Sequence, residues 1–206
     1  MEKIFIIQLI TSFFAGGLLI GLQTIVGEKV PMRWRKIVLT VPTTLAMGLL
    51  FLGIAKTPED AAQAAAFVPA PITITYIFAV IFAYISQKKS LLTSLSISTA
   101  AWFVLAYIIF LIPRLNFFQA VAFYFIPVFL ILYLLIRRLP YVQHIASIPL
   151  TAGQTIGRCI FAGVVIVLTV FLGKTVGNEF GGLFSSYPAA FTTMFVIYSH
   201  LYGNAY

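Results

Sequence analysis

Apolar positions run continuously along this chain rather than alternating, in seven stretches: 4–26, 36–54, 67–87, 91–112, 116–136, 152–172 and 180–202. About 17 to 25 mostly apolar residues are what a helix needs to cross a hydrocarbon layer. The pattern therefore predicts seven transmembrane helices joined by short connections. A membrane β-barrel requires in-out alternation over about ten residues per strand, which these stretches lack. The expected architecture is an all-α polytopic membrane protein, with residues 1–206 forming one integral membrane domain. So few residues fall between the spans that a separate soluble catalytic or sensor domain has no room, and function must reside in the helices and their ends.

Composition strengthens this reading. The chain is 61% hydrophobic and only 9% charged, with a mean hydropathy of +1.05, far beyond what the core of a soluble domain of this size requires. Lys3 precedes the first apolar run in the manner of a signal peptide, but the run continues past Ile25 without a small-residue cleavage pattern, so a retained helix is expected. Cys159 is the sole cysteine, which leaves neither an internal disulfide nor a thiolate metal cluster to expect. No cofactor is called for.

The basic residues set an orientation. Lys29, Arg33, Arg35 and Lys36, then Lys88 and Lys89, then Arg137 and Arg138 fall in alternate connections, whereas the opposite connections hold Lys56, Arg114 and Lys174 together with Glu59, Asp60 and Glu179. The positive-inside rule then places the N-terminus outside and the C-terminus in the cytoplasm of a cell (inner) membrane protein. The net charge of +8 reads as attraction of anionic lipids to the basic loops, strongest at Arg33-Trp34-Arg35-Lys36. Nucleic acid is not an expected partner, because the basic residues are divided among three short juxtamembrane loops.

Inside the spans no Asp or Glu occupies a central position, so the carboxylate relay common in proton- or sodium-driven pumps is absent. The ionisable candidates are Arg158, about two turns into span six, and His200, near the end of span seven. Each has a plain reading, snorkelling or interfacial packing, and a sharper one: an anion-attracting group at a pathway mouth and a titratable gate. Helix breakers form the second set. Thr40, Pro42 and Thr43 in span two, Pro71 and Thr73 in span three, and Gly182, Ser185, Ser186 and Pro188 in span seven put proline among small and hydroxyl residues. Proline removes a backbone donor and frees a carbonyl, and within lipid those groups must be satisfied by hydroxyls, by packing or by a ligand. These nine residues are the candidate lining of a substrate pathway.

Two breaks are also related in sequence. Phe14-Ala15-Gly16 precedes Pro42 by about the distance at which Phe161-Ala162-Gly163 precedes Pro188. Spans one and two would then correspond to spans six and seven, five crossings later and so in opposite orientation, as in an inverted-topology repeat. The chain ends before any counterpart of span three, so a second copy, as in a homodimer, or a membrane partner subunit is expected to complete the assembly. Gly17 and Gly21 form a GxxxG motif suited to close helix packing.

The stretch Phe180-Gly181-Gly182-Leu183-Phe184-Ser185-Ser186-Tyr187-Pro188-Ala189-Ala190-Phe191, followed by His200 and Gly203, resembles the Gly-Leu, aromatic-Pro, His, Gly helix of the GlpM-like family of small bacterial inner-membrane proteins. The resemblance covers spans six and seven and implies a small polytopic membrane protein, without a catalytic residue or substrate. An enzyme is not expected, since His144 and His200 are the only histidines and neither a His-Glu cluster nor a Gly-x-Ser-x-Gly elbow occurs. The reading reached is a membrane transporter or channel for a small solute, its pathway lined by proline-broken helices and its charge selectivity or gating set by Arg158 and His200. A non-transporting subunit or scaffold that assembles with a partner is the principal alternative, ahead of a membrane-embedded lipid enzyme.

Overall fold

A computed structural model of the chain describes residues 2–31, 34, 38–39, 41–112, 117–138 and 150–202. Among them the regular elements are helices: α1 (Glu2–Lys29), α2 (Thr43–Ala55), α3 (Pro58–Phe67), α4 (Pro69–Ser86), α5 (Leu91–Leu111), α6 (Phe117–Arg138), α7 (Ala152–Thr175), α8 (Asn178–Ser185) and α9 (Ala189–Tyr202). Five stretches are long and apolar enough to cross a membrane: Lys3–Lys29, Pro69–Ser86, Leu91–Leu111, Ala152–Thr175 and Asn178–His200. Two further apolar helical stretches, Thr43–Ala55 and Phe117–Ile131, are shorter.

The helix starts follow local chemistry. Ser90 caps α5 by accepting the Thr93 N–H, and Thr151 with Gln154 forms a reciprocal capping box at α7. α3 was not anticipated as a helix, although its signals are strong: Thr57 accepts the Asp60 N–H, Pro58 opens the first turn, and Glu59 and Asp60 sit at the positive end of the helix dipole. Its ten residues are too few and too polar for a search tuned to bilayer-spanning windows. Val68 keeps helical angles between α3 and α4, so this pair runs nearly continuously through the Pro69 junction.

Packing fixes the directions of the helices. α1 and α7 are antiparallel: Phe5 stacks on Phe171, Gly163 lies against Phe13, Gly17 lies against Cys159, and the Glu28 carboxylate accepts the Leu150 N–H. α2 runs alongside α7 in the same direction, with Gly48 against Thr169 and Leu52 against Gly173. It runs opposite to α8, with Leu52 against Gly181 and Gly48 against Ser185. Glycine permits each of these close approaches, as expected where helices associate without a strong hydrophobic drive. One apolar cluster joins Phe51 and Ala55 of α2 to Ile166 and Val170 of α7. A larger one, from α3 through α6 and α8, is built on Phe67, Ile74, Phe78, Trp102, Ile109 and Leu183. Outward faces carry Ile4, Phe14, Leu18, Leu92, Phe118 and Ile126, an apolar exterior that suits lipid.

Span seven is divided. α8 stops at Ser185, and α9 begins after Ser186-Tyr187-Pro188, with the Ala189 N–H turned back to the Tyr187 carbonyl at 2.7 Å. In span two the helix resumes at Thr43 immediately after Pro42, whose ψ of 62° is not helical.

Candidate functional site

α2 has 13 residues, roughly 20 Å at 1.5 Å per residue, and so cannot cover a hydrocarbon core of about 30 Å. Both of its ends find partners on α1. The Gln23 amide donates to the Val38 carbonyl at 2.6 Å and the Val41 carbonyl at 3.1 Å, while its oxygen accepts from the Thr43 hydroxyl. At the far end Gln8 donates to the Ile54 carbonyl at 3.1 Å. Gln8 and Gln23 lie 15 residues apart, roughly 22 Å along α1, close to the length of the helix they terminate. These two glutamines were not singled out from the sequence, although an amide within an apolar span is a signal in its own right.

Beside Gln23, the packing of α1, α2, α7 and α9 leaves a small cavity lined by Ile20, Gln23, Thr44, Arg158, Ala162, Ala189, Ala190 and Thr193. Its volume of about 10 Å³ is about what one water molecule needs. Thr44 lies in the first turn of α2, and Ala189 and Ala190 lie in the first turn of α9. The two helix starts that follow Pro42 and Pro188 therefore meet at one place. First-turn N–H groups lack intrahelical acceptors and carry the positive end of the helix dipole.

Arg158 faces this cavity from α7 and is only 3% exposed. One terminal nitrogen donates to the Met194 thioether sulfur at 3.4 Å, a weak acceptor. Its Nε is buried and has no hydrogen-bond partner. Among the described residues no ion pair joins a carboxylate to the guanidinium, although Tyr198 and Glu28 act on it electrostatically. A buried cation without a carboxylate is uncommon, because desolvation is repaid only by close, complementary charge. Snorkelling, the plainer reading of Arg158, does not describe a side chain held inside the bundle.

The other candidates are placed as follows. Pro42 is exposed at the start of α2, Thr43 bonds Gln23, and Pro188 is buried just before α9. Pro71 and Thr73 are buried in α4, where the Thr73 hydroxyl reaches toward the Phe123 carbonyl at 3.4 Å. Ser185 and Ser186 both donate to the Gly182 carbonyl, at 2.7 and 3.1 Å, and Thr75 donates to the freed Ser186 carbonyl at 2.6 Å. Gly182 sits against the Ala64 backbone, and Gly17 and Gly21 lie against Cys159 of α7. His200 is exposed on α9 and does not line the cavity that Arg158 faces. Thr40 lies outside the described residues, as do Arg33, Arg35, Lys36, Arg114, His144 and Gly203. Of the predicted site residues the structure thus puts Arg158 in the cavity lining, with Thr43 and Pro188 next in sequence to the lining residues Thr44 and Ala189, and leaves Pro71, Thr73 and His200 out of it.

At the other end of the bundle, the α2–α3 and α7–α8 turns are tied together. Lys56 pairs with Asp60 at 3.2 Å and bonds the Asn178 side chain, whose amide donates to Asp60 at 2.6 Å and to Gln63 at 2.9 Å. The Asn178 amide is the leading cause that holds the Asp60 carboxyl below its ordinary value, helped by Thr57 and Lys56 against a smaller opposing effect of burial. Gly177, at φ +148°, supplies a backbone turn there that residues with a Cβ rarely adopt.

Residues 9–115 match the family described as "Protein of unknown function (DUF3147)". The match takes in α1 from residue 9 onward and α2 to α5, hence Gln23, Pro42 and Thr44, and ends before Arg158 and Pro188. No curated protein and no solved structure matches the chain.

Proposed function

We propose, for a chain that belongs to the DUF3147 family of proteins of unknown function, that the meeting point of α2 and α9 at Arg158 is the solute site of a membrane transporter or channel. The observation that supports this is the convergence of two proline-led helix starts and a buried guanidinium on a single cavity. Interrupted helices that aim their N-termini at a common point are a recurring way to build a site within a membrane. In this reading α1–α2 and α7–α9 are the two halves of an inverted repeat, consistent with the antiparallel packing of α1 on α7 and of α2 on α8. The chain crosses the membrane seven times, with its N-terminus outside, anionic lipids at the basic loops, and a second copy or partner subunit completing the assembly.

Purified protein in proteoliposomes, loaded with a panel of small solutes, tests the reading. Wild-type vesicles are expected to exchange at least one solute faster than empty ones, and Pro188→Ala at equal insertion is expected to slow that exchange about tenfold. Rates in wild-type vesicles equal to those in empty vesicles across the panel would reject transport and favour an assembly subunit. Unchanged flux in Pro188→Ala would remove the α9 start from the pathway.

A further inference from the structure

We infer that the Arg158 cavity is a binding site for a small monatomic anion of halide size. The identity of the carried species depends on the transport reading above, whereas the binding site does not.

Three features of the cavity select this ligand class. The first is sign. The charged group facing the cavity is a guanidinium, the helix ends that face it are both N-termini, and no carboxylate lines it. A cation there would meet only like charge, and an anion would meet positive potential from three directions.

The second is a vacant donor. The Gln23 amide is already bonded to Val38 and Val41, and the Thr193 hydroxyl to the carbonyls of Ala189 and Ala190 at 2.9 and 3.1 Å. The buried Nε of Arg158 has no partner. An anion beside it supplies both the missing acceptor and the countercharge, turning a costly buried charge into a paired one.

The third is size. About 10 Å³ is room for a single small species, on the scale of one water or one monatomic ion. Phosphate, sulfate and carboxylate ligands exceed that, and a lipid headgroup could present only one of its oxygens.

The test uses detergent-solubilised full-length chain and reads the thermal unfolding midpoint against sodium chloride, with sodium gluconate holding ionic strength and cation constant. A ligand that binds only the folded state adds stability in proportion to the logarithm of its concentration above Kd. For a chain of this length that corresponds to roughly 3–5 °C per tenfold rise in chloride. Arg158→Met, which removes the charge but keeps an apolar side chain of similar reach, is expected to abolish the chloride response. In gluconate it is expected to unfold no earlier than wild type, because an unpaired buried charge has been taken away.

A wild-type midpoint indifferent to chloride overturns the inference, as does a chloride shift that survives intact in Arg158→Met. Stabilisation by anionic phospholipid with none by chloride assigns the guanidinium to a headgroup and also overturns it. A chloride flux assay on the same proteins separates the two proposals. An Arg158-dependent chloride shift without flux keeps the site and rejects transport. Flux of a neutral or cationic solute with no chloride shift keeps transport and rejects the anion.

Discussion

At the scale of single residues, glycine does two opposite jobs in this bundle, and the distinction is invisible in the sequence. A Cβ on Gly182 would come within 2.6 Å of the Ala64 carbonyl oxygen, a backbone atom that cannot swing aside. Gly182→Ala is therefore expected to destabilise by about 1–3 kcal/mol, the usual cost of overpacking. A Cβ on Gly157 would meet nothing within 4 Å, so Gly157→Ala is expected to stabilise by about 0.5–1 kcal/mol through improved helix propensity. Thermal unfolding of both variants in one detergent decides this, and an equal sign for the two would contradict the packing described. Arg158 shows the same limit. Its type and position could be read from the sequence, but whether it snorkels or faces inward depends on the rotation of α7, which is set by Gly17 and Gly21 seating on Cys159 and by Gly163 seating on Phe13.

At the scale of elements, the helix breaks were legible and their partners were not. Pro42 and Pro188 mark helix starts because neither can continue a preceding α-helix with a complete set of bonds. The sequence-based expectation gave the repair to neighbouring hydroxyls. For span seven that is part of the account, since Ser185 and Ser186 bond back to the Gly182 carbonyl and Thr75 crosses from α4 to the Ser186 carbonyl. For span two the repair comes from Gln23, which lies 18 residues before Val41 in the chain. Gln23→Leu removes an amide that serves two backbone carbonyls and the Thr43 hydroxyl, of which the part-buried Val38 carbonyl and Thr43 hydroxyl are the costlier to leave unpaired, at up to about 1–3 kcal/mol each for a fully buried group. A loss of several degrees in unfolding midpoint is expected, with more rapid hydrogen exchange confined to the start of α2. Exchange unchanged at α2 would show that Gln23 is not what holds this break.

At the scale of the whole molecule, the polar tie among Lys56, Asp60, Gln63 and Asn178 joins the α2–α3 turn to the α7–α8 turn, bonding parts of the chain more than a hundred residues apart. The Asp60 carboxyl is held below its ordinary value of 3.8 in the folded protein. A depressed folded value means the stabilisation is fully present above the ordinary value and disappears as pH falls below it toward the folded one. The unfolding midpoint is expected to stay level down to about pH 5 and then decline below about pH 4, with a shallower decline in Asp60→Asn. An identical acid limb in the variant would show that the tie contributes nothing to holding the two turns together.

The sequence by itself determined the helical class, the presence of helices apolar and long enough to cross a membrane, the approximate position of most of them and the sites at which two helices break. Those properties are local: window hydropathy, the missing N–H of proline and the capping chemistry of a few residues each decide their own segment. It missed α3, because a ten-residue helix with acidic residues in its first turn falls outside any window scaled to a bilayer. The tertiary structure alone decided that the starts of α2 and α9 meet, that Arg158 turns toward them, that Gln8 and Gln23 terminate a shortened helix, and that His200 and Pro71 lie elsewhere. Each of these depends on which faces of distant helices come into contact, and in lipid that choice is made by small-residue fit and by the need to pair every buried polar group.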